Sequence, residues 1–225
     1  MSDCVTYEVD GEVAVIAMYK PPVNGLGSDL DAGIVAALDS VNAENAVRAF
    51  VLTGSTRAFS GGADVTEFGT TKAAREPNLR LVIDLIGNSG KPVVAAIGGQ
   101  CQGGELKLAM GCHFRVALAD ATLGLPEVKL GLLPGAGGSQ RLPRLLRLEA
   151  ALNIFVSGNP TPATKFKGTP LIDEIIEGDL VSGGVASARK VVAEGLPLKR
   201  ARDIKVSDPQ TDAFLQFAKN TITAA

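Results

Sequence analysis

Residues 93–119, VVAAIGGQCQGGELKLAMGCHFRVALA, run from one apolar stretch through a glycine-rich turn into another. The stretches 93–99 and 114–119 are rich in valine and alanine, and similar ones occur at 13–18 (VAVIAM) and 49–54 (AFVLTG). Short apolar runs with β-branched residues, bounded by turn residues, are typical of buried strands. We therefore predict four buried strands in the first half of the chain.

The segments between these strands have helical periodicity. Residues 28–44 (SDLDAGIVAALDSVNAE) place apolar side chains on one face, with Ser28 or Asp29 as the expected N-cap. Residues 78–90 (NLRLVIDLIGNSG) do the same, and that helix is expected to stop at Gly87 and at Gly90, before Pro92. Strands that alternate with helices predict an α/β fold with parallel pairing and right-handed crossovers.

The second half of the chain is more helical and more irregular. We predict helices at 146–158 (LRLEAALNIFVSG) and 182–195 (SGGVASARKVVAEG), each followed by a glycine stop. The stretch between them, 161–174, contains glycine and proline residues that interrupt any helix drawn through it. The last stretch, 208–225, opens like a helix at Asp208 and ends after few turns.

Composition excludes several classes of function. The chain has 225 residues, 46% of them hydrophobic, which is enough for one globular unit with a sizeable core. Its 22 basic and 24 acidic side chains leave a net charge of -2, and no basic block is present to bind nucleic acid. No apolar run approaches membrane-spanning length, and the acidic N-terminus does not resemble a signal peptide. The 3 cysteines form neither a disulfide framework nor a metal motif, so we expect a reduced, cytoplasmic environment.

Three glycine-rich clusters lie beside predicted strands, at 60–64 (SGGAD), 98–104 (GGQCQGG) and 133–141 (LPGAGGSQR). A single such cluster is ordinarily a tight turn, but three in one domain point to a backbone that approaches a ligand. None matches a P-loop, a dinucleotide fingerprint or a serine-hydrolase elbow. The one histidine, His113, adjoins a strand start and is expected to be a packed residue.

Main-chain chemistry is what these turns can supply. A strand that ends in a glycine-rich turn and opens a helix presents free N–H groups and the positive end of the helix dipole. Two such turns facing each other form an oxyanion hole that polarises a carbonyl. The glycines are the only side-chain signature such a site leaves.

The chain resembles a known family in three ordered segments. These are RAFSGGADVTEF (57–68), PVVAAIGGQCQGG (92–104) and LAMGCHFRVALADATLGLPEVKLGLLPGAGGSQRLPRL (108–145). They resemble the crotonase superfamily of enoyl-CoA hydratases and isomerases, most closely the hydratase/isomerase part of multifunctional β-oxidation proteins. The resemblance extends over about residues 10–160.

The resemblance implies a fold, a substrate and an assembly. The implied fold is a spiral of ββα units, here over residues 1–195, followed by a truncated helical region at 196–225. The implied substrates are acyl-CoA thioesters, with no metal or redox cofactor. Homotrimers are common in the family, and a dehydrogenase half would be the partner if the chain is a fragment of a multifunctional protein.

The resemblance also assigns site residues. The thioester oxygen would accept hydrogen bonds from the N–H groups of Ala63 and Gly104, and Glu127 matches a catalytic glutamate. Gly135 matches a backbone position near the catalytic water. The remaining expected substrate-binding residues lie in the same two turns: Gly62, Asp64 and Gly103.

The sequence departs from the family pattern at two positions. Family hydratases have a third glycine where this chain has Glu105, and a second glutamate where it has Lys107. A lysine ammonium accepts no proton at neutral pH, so it cannot serve as the base that activates water. Residues two apart on a helix point to nearly opposite sides, so Glu105 is not expected to replace the missing glutamate.

Two positions remain open for the Lys107 side chain. It could point into the pocket and pair with Glu127 in the place of the water, or it could extend to the rim with its ammonium in solvent. Three functions remain open as well. The first is hydratase/isomerase activity, or Δ3,Δ2-enoyl-CoA isomerase activity only, which needs Glu127 alone. The second is acyl-CoA binding with weak catalysis. The third is a different crotonase chemistry, such as thioester hydrolysis.

Overall fold

The computed structural model describes residues 4–22, 24–55, 57–67, 69–206 and 209–223. Within these residues the strands are β1 Val5–Asp10, β2 Val13–Met18, β3 Ala49–Thr53, β4 Ala58–Ser60, β5 Val93–Ile97, β6 Gln100–Gln102, β7 Phe114–Leu118, β8 Thr122–Gly124, β9 Thr161–Pro162 and β10 Glu174–Ile176. The helices are α1 Ser28–Ala43, α2 Leu79–Asn88, α3 Gly104–Gly111, α4 Gly138–Leu145, α5 Leu148–Ser157, α6 Leu180–Ala193 and α7 Thr211–Thr223.

The strands form two sheets. The larger sheet has the order β1-β2-β3-β5-β7-β10, and the smaller has the order β4-β6-β8-β9. From β3 to β8 successive strands alternate between the sheets, so each step adds one strand to the larger sheet and one to the smaller before the next α-helix, as in β3-β4-α2 and β5-β6-α3. This is the spiral of ββα units that the resemblance implies.

The four predicted buried strands are confirmed as β2, β3, β5 and β7, which pair in parallel in the larger sheet. Alternate side chains of β3 show how both faces are covered. Phe50 and Leu52 pack into the main core, whereas Ala49 and Val51 face a second core formed with α6. Parallel strands buried on both faces are continuously apolar, which is why the sequence signal was strong.

The first predicted helix is confirmed, but its predicted N-cap is wrong. Helix α1 begins at Ser28, and the residue before it is Gly27, whose own side chain cannot cap. The Glu67 carboxylate caps the helix instead, accepting hydrogen bonds from the Ser28 N–H at 3.0 Å and from its hydroxyl at 3.2 Å. An anion at this end is also favoured by the helix dipole.

The second helix was expected to stop at Gly87 and Gly90, and α2 ends between them at Asn88, with Ser89 as its C-cap. A Cβ atom at Gly87 would lie 3.6 Å from the Gly111 carbonyl oxygen, an ordinary van der Waals distance, whereas a Cβ atom at Gly111 of α3 would lie 2.9 Å from Ile83 Cγ2. Gly111 is therefore the glycine that the close packing of α2 on α3 requires.

The helices predicted in the second half are confirmed with small shifts. Helix α5 ends at a left-handed Gly158, and α6 begins two residues earlier than predicted, with Asp179 as its N-cap. The stretch 161–174 forms no α-helix, as its glycine and proline residues indicate: it contains β9, the 3₁₀ turn Ala163–Phe166 and the first residue of β10. The predicted start at Asp208 lies outside the described residues. In the part of the chain described, no helix is both long and apolar enough to cross a bilayer.

Arg115 connects the spiral to the segment before β10. This side chain is fully buried, and its guanidinium donates to the carbonyl oxygens of Leu171 at 2.8 Å, Cys112 at 2.6 Å and Pro170 at 3.0 Å. Burial lowers the pKa of Arg115, and the Asp173 carboxylate opposes that effect.

Replacing Arg115 with methionine should lower the free energy of unfolding by about 3–5 kcal/mol, because it leaves several buried carbonyl groups without donors. Urea unfolding measures this change. Arg189→Met is the control, since Arg189 is exposed, pairs with Asp10 and should cost at most about 1 kcal/mol. An Arg115→Met protein as stable as the control would contradict the structural role.

Candidate active site

Two turns meet where the short strands β4 and β6 end. The strands pair in parallel, Ala58 with Gln100 and Ser60 with Cys101. In the turn after β4, the Leu26 N–H donates to the Gly62 carbonyl and the Asp64 N–H donates to the Leu26 carbonyl, both at 2.7 Å. Because parallel pairing uses the groups on either side of Ala63, the Ala63 N–H points away from Leu26.

The turn after β6 adjoins the Ala63 turn closely. Gly103, in the left-handed region with φ 59°, precedes Gly104, the first residue of α3. A Cβ atom at Gly104 would lie 3.3 Å from the Ala63 nitrogen and 3.0 Å from Leu26 Cδ1. Glycine is therefore required for the two turns to approach, and the first N–H groups of a helix have no acceptor within it.

Lys107 and Glu127 form a direct ion pair. The distance from Lys107 Nζ to Glu127 Oε1 is 2.8 Å, and the two side chains are 10% and 12% exposed. Lys107 lies on α3, and Glu127 on the 3₁₀ turn Pro126–Leu130. The rim position for Lys107 is thereby excluded, and the inward position is confirmed.

The second oxygen of Glu127 has a different environment. Glu127 Oε2 is buried and accepts no hydrogen bond from any described residue. The carboxylate faces the turn after β6, because a Cβ atom at Gly103 would lie 3.7 Å from Glu127 Oε1. On the other side, a Cβ atom at Gly138 would lie 3.3 Å from Lys107 Cγ and Cδ. The ion pair is therefore held between two glycine-rich segments.

The remaining predicted site residues lie around this centre. Gly62 has φ 83° in the Ala63 turn. Asp64 forms an ion pair with Lys20 at 3.0 Å, and hydrogen bonds from Thr66 and Lys20 lower its pKa to about 2. Gly135 lines a separate cavity of about 470 Å³, and the structure gives no contact between it and Glu127.

Glu105 connects the two turns, a role that its sequence position did not reveal. Its side chain is only 1% exposed, and Oε2 accepts a hydrogen bond from the Ser60 N–H at 3.2 Å. A backbone hydrogen bond from Gln102 reaches the same carboxyl. Burial raises the pKa of Glu105 to about 9, so the group is a neutral acid at pH 7. It joins the ends of β4 and β6.

His113 is a packed residue, as predicted. It is fully buried, and its Nδ1 accepts a hydrogen bond from the Val93 N–H at 3.1 Å. Burial lowers its pKa to about 4, with a further contribution from Arg200, so the imidazole is neutral at pH 7.

Sequence patterns gave no signal for the arginines of the large cavity. Arg80, Arg141, Arg144 and Arg202 share that cavity with Gly135, although they are dispersed along the chain. Only folding brings α2, α4 and the turn Ala201–Asp203 together.

Comparison with known proteins identifies the family. The family model described as enoyl-CoA hydratase/isomerase matches residues 8–208. The chain belongs to this family.

The hydratase/isomerase relatives differ in length. The human "Peroxisomal bifunctional enzyme" is 40% identical over 190 residues, covering 84% of this chain and 26% of the relative. The "Probable enoyl-CoA hydratase" of Bacillus subtilis (strain 168) is 35% identical over 218 residues, covering 95% of this chain and 80% of the relative. The chain thus spans about a quarter of the multifunctional relatives and most of the shorter one.

Solved structures agree with the family membership. The crystal structure of an enoyl-CoA hydratase from Bacillus anthracis superposes with a TM-score of 0.76 at 28% identity, covering 85% of this chain and 77% of that one. The α/β spiral described above is therefore the fold of enoyl-CoA hydratases.

The buried acid Glu105 should make stability depend on pH. Its pKa rises from 4.5 to about 9 on folding, so the folded protein holds a proton that the unfolded chain releases. Stability from this group is complete below pH 4.5 and falls as pH rises towards 9, by at most about 1.4 kcal/mol per pH unit. Glu105→Gln, which stays neutral, should therefore gain stability relative to the wild type as pH rises.

Urea unfolding of both proteins across this pH range measures the effect. Glu149→Gln, which removes an exposed carboxylate on α5, is the control and should follow the wild-type curve. If Glu105→Gln and the wild type show the same pH dependence, Glu105 is not a buried neutral acid.

Proposed function

We propose that this protein acts on enoyl-CoA thioesters and moves a double bond by one-base proton transfer, with Glu127 as the base. The observation that carries the proposal is the 2.8 Å contact between Lys107 Nζ and Glu127 Oε1. This contact leaves no space for a water molecule between the two groups. It also leaves Glu127 Oε2 buried and without a partner among the described residues, as a free proton acceptor.

The geometry of the two adjoining turns supports the proposal that their N–H groups form an oxyanion hole. The Ala63 N–H points away from the ladder with Leu26, and the Gly104 N–H opens α3. The position of a Cβ atom at Gly104 lies 3.3 Å from the Ala63 nitrogen, so the two donors are neighbours. Donors fixed in this way stabilise the charge that develops on a thioester oxygen during enolate formation.

The proposed reaction balances without a redox step. Glu127 Oε2 removes a proton from C2 of a 3-enoyl thioester, and the electron pair moves onto the thioester oxygen as a conjugated enolate. The N–H groups of Ala63 and Gly104 stabilise that oxygen. The same carboxyl then returns the proton at C4, and the double bond moves to C2–C3. Glu127 ends in its starting state.

Hydration of a 2-enoyl thioester is the second candidate, favoured by the names of the relatives. Family hydratases hold water between two glutamates, whereas this chain offers one glutamate in an ion pair with a lysine. Hydration is therefore expected to be much slower than isomerisation. Acyl-CoA binding with no turnover would support the weakly catalytic alternative instead.

The proposal also covers the pathway, location and assembly of the protein. We expect an enzyme of β-oxidation that acts in the cytoplasm without a cofactor. We expect it to form a homotrimer or to act together with a dehydrogenase part. The chain's coverage of about a quarter of the multifunctional relatives is consistent with the latter.

Glu127→Gln should lower kcat for isomerisation of 3-enoyl-CoA by about 10²–10⁴, because the amide accepts no proton from carbon. Absorbance of the conjugated enoyl thioester measures turnover, and NMR in D₂O measures exchange at C2 of a saturated acyl-CoA. Glu149→Gln should retain wild-type values for both. Exchange and turnover at wild-type rates in Glu127→Gln would exclude this glutamate as the base.

Lys107→Glu should raise hydration of 2-enoyl-CoA by at least about tenfold, since it restores two carboxylates that can hold and activate water. Loss of absorbance of the conjugated thioester gives the rate. Lys165→Glu makes the same charge change at an exposed residue and should leave the rate unaltered. If Lys107→Glu folds but hydrates no faster, the lysine does not determine the choice between the two reactions.

A further inference from the structure

One cavity of this protein is lined by positive charge. It has a volume of about 470 Å³, within the usual range for a small-ligand pocket. Its walls carry four arginines, Arg80, Arg141, Arg144 and Arg202, and one carboxylate, Asp84. The protein as a whole has a net charge of -2, so this local excess of arginine is not a property of the overall composition.

Only part of this positive charge is neutralised. Arg141 is fixed by the Ala136 carbonyl oxygen at 2.9 Å and by Asp84 at 3.2 Å. Burial lowers the pKa of Arg141, and the nearby charges of Arg202 and Arg80 lower it further. Asp84 pairs with Arg141, and Arg202 has a carboxylate of its own, Asp203, at 3.8 Å and donates to Asn88 Oδ1 at 2.6 Å. Arg80 and Arg144 are therefore the two cavity arginines without a carboxylate partner among the described residues.

Arg80 and Arg144 are free to bind an added anion. Arg80 is exposed and makes no hydrogen bond or ion pair with any described residue. Arg144 donates only to its own helix, to the Gln140 carbonyl oxygen at 2.6 Å and the Gln140 side chain at 3.5 Å. Planar guanidinium groups with unused donors suit carboxylate and phosphate oxygens.

The cavity is next to the candidate active site on two sides. The segment 134–137 forms one wall, and Gly138, which follows it, packs against the Lys107 stem. Arg80 also borders a smaller cavity of about 190 Å³ lined by Leu26, Asp64 and Leu79, beside the oxyanion turns. A thioester bound at those turns would therefore have the arginine-lined cavity within reach of its ends.

We propose that this cavity binds an anionic group of the acyl-CoA substrate, a carboxylate or a phosphate. This inference rests on the proposed function, since it assumes an acyl-CoA at the turns. A carboxylate would come from the far end of a dicarboxylic acyl chain, and a phosphate from the coenzyme A portion. An uncharged acyl chain would gain little here, because it would desolvate the guanidinium groups without pairing them.

Binding of saturated thioesters, which cannot be isomerised, tests the cavity separately from catalysis. Calorimetry with the full chain compares the affinity for hexanoyl-CoA with that for adipyl-CoA, and the affinity for decanoyl-CoA with that for sebacyl-CoA. The members of each pair differ only in a carboxylate at the far end of the acyl group. It also compares CoA with dephospho-CoA. The variants are Arg80→Gln and Arg144→Gln. Arg189→Gln, an exposed arginine on α6, is the control and should preserve every affinity.

If the cavity binds a carboxylate, the wild type should bind adipyl-CoA and sebacyl-CoA roughly tenfold more tightly than hexanoyl-CoA and decanoyl-CoA. Each cavity variant should reduce that preference. For a phosphate, each cavity variant should weaken all the thioesters alike and reduce the preference for CoA over dephospho-CoA. Both outcomes support an anion site and identify its source. If Arg80→Gln and Arg144→Gln change no affinity beyond the change in Arg189→Gln, the proposal is overturned.

Failure of the proposed function would give a different result. In that case Glu127→Gln would leave isomerisation unchanged or the wild type would show none, while the binding preferences above would persist. Conversely, normal isomerisation together with unaltered binding in the cavity variants would reject only the anion site.

Discussion

Strands β4 and β6 pair in parallel, and the two turns that follow them must leave the small sheet side by side. The site depends on this constraint, because it brings the Ala63 nitrogen within 3.3 Å of where a Cβ atom at Gly104 would lie. The constraint itself follows from the spiral, which from β3 to β8 sends every second strand to the smaller sheet. Glu105 reinforces it with a buried carboxyl that accepts hydrogen bonds from the ends of both strands.

Helix α3 has two buried polar side chains, Glu105 and Lys107, which lie on opposite sides of the helix. Each of them contacts polar groups that suit it. Glu105 faces backbone donors and is a neutral acid at pH 7, whereas Lys107 forms an ion pair with Glu127. Since α3 is buried along its length, an unpartnered charge on either side would be costly. The departures from the family pattern are therefore built into the packing of the helix.

Sequence patterns predicted the elements whose cause is local. The parallel strands were evident because both faces are buried, and α5 because Gly158 ends it. The N-cap of α1 was not predictable, since the capping carboxylate of Glu67 comes from a distant turn. The end of α2 was predictable as well, because Gly87 and Gly90 bracket its last residue, Asn88. Within the site, the glycine turns and Glu127 followed from motifs, whereas the contact of Glu105 and the shared cavity of the arginines required the fold.

The ion pair constrains the chemistry more than it supports the fold. A buried ion pair often contributes little net stability, because desolvation of both groups offsets their attraction. Its effect on the site is geometric: Lys107 fixes one oxygen of Glu127 and leaves the other buried and unpaired among the described residues. In the proposed function, a carboxylate held by one oxygen takes and returns a single proton, and the lysine in contact with it occupies the place of a water. In that proposal, Lys107 favours proton transfer between carbons over addition of water.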